Sequence, residues 1–274
     1  MGRSLNVFIT VTFMFLLRSA LAQEDSLLQL RLIKKLDGGF SNFEVDNPGN
    51  IFLINNAGQI KKLSINFDSV GLYNNEKQYG NITSVDATNP LKILVYYNDF
   101  TTTVLLGRFL EVRNVIDLHR VGILQLKCIT QSYDNNYWLY DEWDRKIKKI
   151  NEYGKVLLES ADFSMLFKKI VIPSYLIDSN GLLYLYDFRC GWMVFDHYGA
   201  LKNKYNLMGW TDVQVSGKNL IGRDLAYFYL FNPESLLFRK IKLNITLNNI
   251  TKIINRSNRW FILRNNCLEV YQAY

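Results

Sequence analysis

Apolar and polar positions alternate with a period of two along most of this chain, in short runs rich in Val, Ile, Tyr and Phe. That alternation predicts half-buried strands, and polar clusters holding Asn, Asp and Gly separate the runs as turns do. The runs recur in groups. "YWLYDEWDRKIKKINEYGKV" (residues 137–156) and "LLYLYDFRCGWMVFDHYGAL" (residues 182–201) share one skeleton. Leu139-Tyr140-Asp141 returns as Leu185-Tyr186-Asp187, and Tyr153-Gly154 returns as Tyr198-Gly199. Looser copies occupy residues 43–64, 83–118, 212–243 and 252–274. With the start of the second strand as marker, the copies begin at Ile51, Lys92, Tyr137, Leu182, Asn219 and Trp260, spaced by 41, 45, 45, 37 and 41 residues.

A period near forty with four short strands per unit predicts an all-β, six-bladed β-propeller of four-stranded antiparallel blades. Helical solenoids of similar period need apolar spacing of three and four, which these segments lack. The expected blades span about 40–78, 81–120, 124–163, 170–209, 210–247 and 251–274, within a single domain of residues 23–274. The sixth copy stops after its third strand. "LLQLRLIKKL" (Leu27–Leu36) is an unassigned strand at the opposite terminus, and pairing it with the last blade would close the ring and remove an open sheet edge. One helix is expected within "SADFSMLFKK" (Ser160–Lys169), where a capping residue precedes apolar residues at helical spacing.

The first 22 residues read as a secretory leader: basic Arg3, apolar Val7–Leu17, and small residues ending at Ala22. Eleven apolar residues are too few for a membrane span, which needs about 20, and no later run is long enough. The mature chain is therefore expected outside the cytoplasm, in the periplasm or at the outer membrane of a bacterium, or otherwise secreted. The formal charge of +7 drops to +5 without the leader, which holds Arg3 and Arg18 and no acid. So modest and dispersed an excess does not suggest nucleic acid. Cys128, Cys190 and Cys267 are odd in number and lack CxxC spacing, so buried thiols are expected rather than a disulfide scaffold or metal site.

Candidate chemistry is sparse. His119 and His197 are the only histidines, and HExxH, GxSxG and a P-loop are all missing. No catalytic residue, cofactor or metal is assigned. Asp46, Asp86, Asp134 and Asp178 occupy the same place in four copies, two to four residues before Asn or Gly, and are read as turn formers that close the first hairpin of each blade. In an antiparallel meander the second-to-third-strand turns share a face with the connections between blades. The richest of those turns carry Asp141, Glu142, Trp143 and Arg145 in one copy and Asp187, Arg189 and Trp192 in the next. These seven residues are the candidate binding site. The basic runs at 60–63, 145–150 and 239–243 fall on third strands, where Lys discourages pairing with other chains.

"VDNPGNIFLINNAGQIKKLS" (residues 45–64) and "IDSNGLLYLYDFRCGWMVFDHYGAL" (residues 177–201) resemble the repeat units of NHL-type and related six-bladed propellers. "SVDATNPLKILVYYNDFTTTVLL" and "YGALKN" are also similar to uncharacterised exported propellers of Bacteroidota. The NHL resemblance implies a toroid used mainly for binding proteins or other ligands. Gluconolactonase-type relatives carry metal-binding acids at the channel mouth, but their motifs find no residue-by-residue match here. The expected function is a non-enzymatic protein-interaction or scaffold module in the cell envelope. The alternatives are a lactonase-like metal-dependent hydrolase and a small-ligand- or carbohydrate-binding propeller.

Overall fold

The computed structural model describes residues 25–74, 76–256 and 258–274; the expected leader lies outside them. In chain order, β1 (Asp25–Leu28) and β2 (Leu30–Leu36) come first and join the last two sheets of a ring. The first blade is β3 (Phe40–Val45), β4 (Ile51–Asn55), β5 (Ile60–Leu63) and β6 (Ser69–Tyr73), followed by the short helix α1 (Glu76–Tyr79). The second is β7 (Ile82–Asp86), β8 (Lys92–Tyr97), β9 (Thr102–Gly107) and β10 (Val112–Asp117). The third is β11 (Leu126–Gln131), β12 (Tyr137–Asp141), β13 (Lys146–Ile150) and β14 (Val156–Glu159). After α2 (Phe163–Leu166), the fourth is β15 (Tyr175–Ser179), β16 (Leu182–Asp187), β17 (Gly191–Phe195) and β18 (Leu201–Tyr205). The fifth is β19 (Thr211–Ser216), β20 (Asn219–Arg223), β21 (Phe228–Asn232) and β22 (Leu237–Leu243). The sixth is β23 (Ile250–Arg256), β24 (Arg259–Arg264) and β25 (Cys267–Ala273), completed by β2.

The expected six-bladed propeller is therefore present, and the N-terminal strand closes it. One detail differs. Residues 27–36 form two strands rather than one: β2 pairs antiparallel with β25, while β1 runs parallel to β22 as a fifth strand of the fifth blade. The break falls at Gln29, where the chain passes from one blade to the next, and Asn244 holds that crossing. Its amide oxygen accepts the Leu30 N–H at 2.8 Å and its amide nitrogen donates to the Leu30 carbonyl at 3.1 Å. The expected helix at 160–169 shrinks to α2, with Asp162 capping it by accepting the Ser164 N–H at 2.7 Å. Among the described residues no helix is long and apolar enough to cross a membrane.

Six apolar clusters hold the ring, one between each pair of neighbouring blades. Between the third and fourth lie Trp138, Ile147, Phe163, Leu183, Met193 and Phe195; Leu263 and Val270 of the sixth blade meet Phe43 and Leu53 of the first. The middle strands are buried on both faces because each sheet packs on two neighbours. That is why β8, β12 and β16 read as continuous aliphatic-aromatic runs rather than alternations.

The repeated Leu-Tyr-Asp and Tyr-Gly elements now have physical roles. The Tyr140 hydroxyl donates to the Val171 carbonyl at 3.2 Å, and the Tyr186 hydroxyl accepts the Trp210 N–H at 2.7 Å. Each tyrosine thus ties its blade to the segment leading into the next. Gly154 and Gly199 close the third-to-fourth-strand turns with φ of +81° and +80°, where any other L-residue is strained. A Cβ on Gly154 would also lie 2.8 Å from the Val121 side chain, whereas Gly181, at φ +77°, faces open space. Gly154→Ala is expected to cost about 2–3 kcal/mol and Gly181→Ala about 1 kcal/mol in urea unfolding. Equal losses would show that backbone strain alone sets the cost.

The four first-turn aspartates are not equivalent. Asp46 closes a five-residue turn, its two oxygens accepting the Asn50 backbone N–H at 2.7 Å and side-chain amide at 2.8 Å. Ser132 holds that place in the third blade, since its N–H bonds the Asn136 carbonyl as that of Asp46 bonds the Asn50 carbonyl. Asp134 sits inside the turn and pairs with Lys149 at 2.5 Å, while Asp178 precedes a two-residue Asn180-Gly181 turn and accepts the Ser132 hydroxyl at 2.8 Å. Asp86 caps Thr88 and reaches across to the third blade, accepting the Thr130 hydroxyl at 2.8 Å and the Gln131 N–H at 2.7 Å. Two of the four therefore fasten neighbouring blades together, a role a single repeat cannot show.

Candidate functional site

The second-to-third-strand turns meet the blade connections on one face through backbone hydrogen bonds. The Glu142 N–H bonds the Gln125 carbonyl, the Gly209 N–H the Phe188 carbonyl, and the Asn56 N–H the Gly39 carbonyl, at 2.8, 2.9 and 3.0 Å. Turn and connector therefore behave as one rigid surface on this face.

In the third blade, Asp141 ends β12 fully buried and pairs with the equally buried Lys148 at 2.8 Å; Asp144, from the same turn, closes on that ammonium too. Burial works against the charge on Lys148, but the hydrogen bonds it donates to the two carboxylates outweigh it and hold its pKa above the ordinary lysine value. The other Asp141 oxygen accepts the Trp143 N–H at 3.2 Å. The buried pair therefore shapes a turn that pushes the Trp143 ring into solvent. Arg145 adopts φ +53° and lies 3.7 Å from Asp162. In the fourth blade Asp187 is buried and accepts three backbone N–H groups, those of Ile172 at 2.6 Å, Arg189 at 2.7 Å and Cys190 at 2.9 Å. Arg189 stands exposed beside them.

Six of the seven candidate residues belong to this face, with Asp141 and Asp187 beneath it as turn supports. Trp192 does not belong. Gly191 absorbs the left-handed turn at φ +82°, so β17 has already begun at Trp192, and its ring packs fully buried between blades beside Tyr184 and Tyr186.

Sequence reading singled out Trp143 but missed the row of exposed apolar side chains to which it belongs. Phe100, Trp143, Phe188 and Leu225 occupy the same turn in four consecutive blades, one to three residues past the end of the second strand. They are 62%, 68%, 53% and 79% exposed. The connectors add Met165, Ile170 and Met208, all exposed. Their recurrence in the same turn is a signal in the sequence, but only once the strand ends are fixed. Between the 141–146 turn and the 163–172 connector lies a groove of about 390 Å³, floored by Tyr140, Phe163 and Phe167 and rimmed by Glu142, Arg145, Lys168, Lys169 and Ile170.

Polar inner strands line the central channel, and their groups are largely committed to each other. Lys252 bonds Glu44 and, at 3.1 Å, Asn42, joining the sixth blade to the first. Burial raises the Glu44 pKa against the pull of Lys252. Arg223 and Asp212 form a buried pair at 2.6 Å, and Asp212 also accepts the Ile253 N–H at 3.0 Å from the next blade. Among the described residues no three His, Cys, Asp or Glu side chains gather as a metal ion would need. On the opposite face His197 stacks on Tyr133, ring centroids 4.5 Å apart, and its Nε2 lies 3.5 Å from Asp178. Ser132 donates to that same Asp178 rather than to the imidazole, so the trio lacks the serine-to-histidine bond that activates a nucleophile. Cys128 and Cys190 are buried and burial raises both thiols, Cys128 to about 12; Cys267 is half-buried.

No protein-family model and no curated protein matches the sequence. Solved structures match its shape. The WD40 domain of Pan2 from Neurospora crassa superposes with a TM-score of 0.66 at 9% identity, covering 91% of this chain and 97% of that one. A streptogramin B lyase gives 0.59 at 14% identity over 85% and 78% of the two chains. A catalytically inactive virginiamycin B lyase from Staphylococcus aureus with quinupristin gives 0.57 at 12% identity over 92% and 96%. At such identities the likeness is one of fold, shared by WD40 domains and lyases alike.

Proposed function

We propose that this chain is an exported propeller that binds a protein partner in the cell envelope through the face carrying its second-to-third-strand turns. The observation that carries this reading is the row of exposed Phe100, Trp143, Phe188 and Leu225 in consecutive blades. Large exposed apolar side chains clustered on one face cost solubility, and aromatic residues with arginine are the side chains most enriched in the centres of protein interfaces. Arg145 and Arg189 sit among them. Turn and connector are locked together by backbone bonds, so the surface meets a partner with little ordering cost. Export follows from the leader-like residues 1–22, and a mature N-terminus at Gln23, read by mass spectrometry, tests it.

The binding reading is tested by a photo-crosslinking amino acid placed at residue 143 in the native host. Adducts are expected from position 143 and not from Tyr153, which is equally exposed on the opposite face. Trp143→Ala with Phe188→Ala is expected to weaken capture of the crosslinked partner by about 2–4 kcal/mol while changing stability by less than about 1 kcal/mol. Adducts from 153 alone would overturn the reading.

A further inference from the structure

We infer that the groove beside the third blade receives an acidic segment of the partner that also carries apolar side chains. This inference rests on the protein-binding reading and names the chemistry of the segment bound. The floor is apolar, made by Tyr140, Phe163 and Phe167, and the exposed Ile170 forms part of its wall. What distinguishes the groove is its charge. Acids and bases are both present on this face, but the acids are bonded within the fold, all but Glu142 to a cation or to backbone N–H groups. Asp141 and Asp144 share Lys148, Asp187 is saturated by three backbone N–H groups, and Asp162 caps α2 while facing Arg145. Glu142 accepts the Gln125 side-chain amide at 3.0 Å.

The cations are free by comparison. Lys168, Lys169 and Arg189 are exposed and make no ion pair or side-chain hydrogen bond among the described residues, and Arg145 is held only at 3.7 Å. A carboxylate entering here meets cations that surrender no internal partner, whereas an incoming ammonium finds one carboxylate without a cation partner, Glu142, and that one already holds the Gln125 amide. An apolar trough edged by uncommitted cations is therefore complementary to apolar side chains with Asp or Glu on either side. Guanidinium groups favour such contacts because they accept carboxylates in a two-pronged geometry.

The experiment selects binders from a random twelve-residue peptide display library with the mature full-length chain, counter-selecting on the Lys168→Glu/Lys169→Glu variant. Both lysines are exposed, so the variant is expected to fold, and circular dichroism with urea unfolding confirms this before selection. Enriched peptides are expected to combine Asp or Glu with Leu, Phe or Trp. They should bind the wild-type chain at least tenfold more tightly than the variant, and lose that margin at high salt. Peptides enriched without acidic bias, or a library yielding none that discriminates the two proteins, would overturn the inference while leaving the crosslink at residue 143 to decide the protein-binding reading. Pelleting of the wild-type chain, but not the variant, with vesicles rich in anionic lipid, at salt where no peptide binds, would reassign the groove to a lipid surface and overturn it as well.

Discussion

A chain starting at Asp37, without β1 and β2, is expected to lose the cooperative monomer and to be recovered mainly as aggregate in size-exclusion chromatography. β2 supplies the outer strand of the sixth blade, in register with β25 over Leu30↔Ala273 through Leu36↔Leu268. Its removal exposes the edge of β25 and the cluster that Leu30 shares with Phe228, Trp260 and Tyr271. Losing a ladder of several backbone bonds, at about 1 kcal/mol each, and the burial of Leu30, about 2 kcal/mol, consumes a large part of the ~5–15 kcal/mol that holds a domain together. The bare β25 edge then pairs with other chains. A synthetic peptide of residues 25–36 added during refolding is expected to restore the monomer, and a scrambled peptide is not. A stable monomer from the truncated chain would show that the inter-blade clusters alone close the ring. The crossing at Gln29 makes the latch double, because β1 fastens the fifth blade as β2 fastens the sixth.

Lys148→Met is expected to destabilise the protein by about 3–5 kcal/mol, lowering the melting temperature by roughly 10 °C. The substitution leaves the Asp141 carboxylate buried without its counter-ion, whereas Asp144, the other acid on that ammonium, is partly exposed and stays solvated. Adding Asp141→Asn is expected to recover most of the loss, because the double variant buries no uncompensated charge. The pH dependence carries a second signature. A lysine whose folded pKa is raised contributes stability that is fully present below its unfolded pKa, about 10.4, and fades as pH climbs through the higher folded value. The wild-type chain should therefore weaken above about pH 10 through this group, and the double variant should lack that step. Urea titrations at neutral and alkaline pH measure both. Since Asp141 also holds the Trp143 N–H, the single variant should weaken partner capture even where it remains folded.

The blades were legible because strand periodicity is local. "KILVYY" and "LLYLYD" declare buried strands by composition alone, and Gly154 and Gly199 mark turns that only a left-handed backbone closes. Where the chain crosses between blades, local pattern ran out. Residues 27–36 look like one strand, yet Gln29 divides them because two different sheets offer edges on either side. Trp192 looks like a turn residue because it follows "FRCG", but Gly191 ends the turn one position earlier, and strand alternation then sends the ring inward. Phe100, Phe188 and Leu225 passed as ordinary apolar residues, since nothing in a single turn tells an exposed phenylalanine from a buried one.

Strand content, the sixfold repeat, the antiparallel blades and the closure from the N-terminal end were all written in the residues. Each follows from hydrophobic period and turn chemistry within some forty residues. Only the tertiary structure decided which side chains reach solvent and which charges are already spent. Lys148 finds two acids through the curl of one turn, Glu44 finds Lys252 across the closure of the ring, and Asp86 finds Gln131 in the next blade. Such pairings set the charge that remains free on a surface, and the last two join different blades that no local pattern connects.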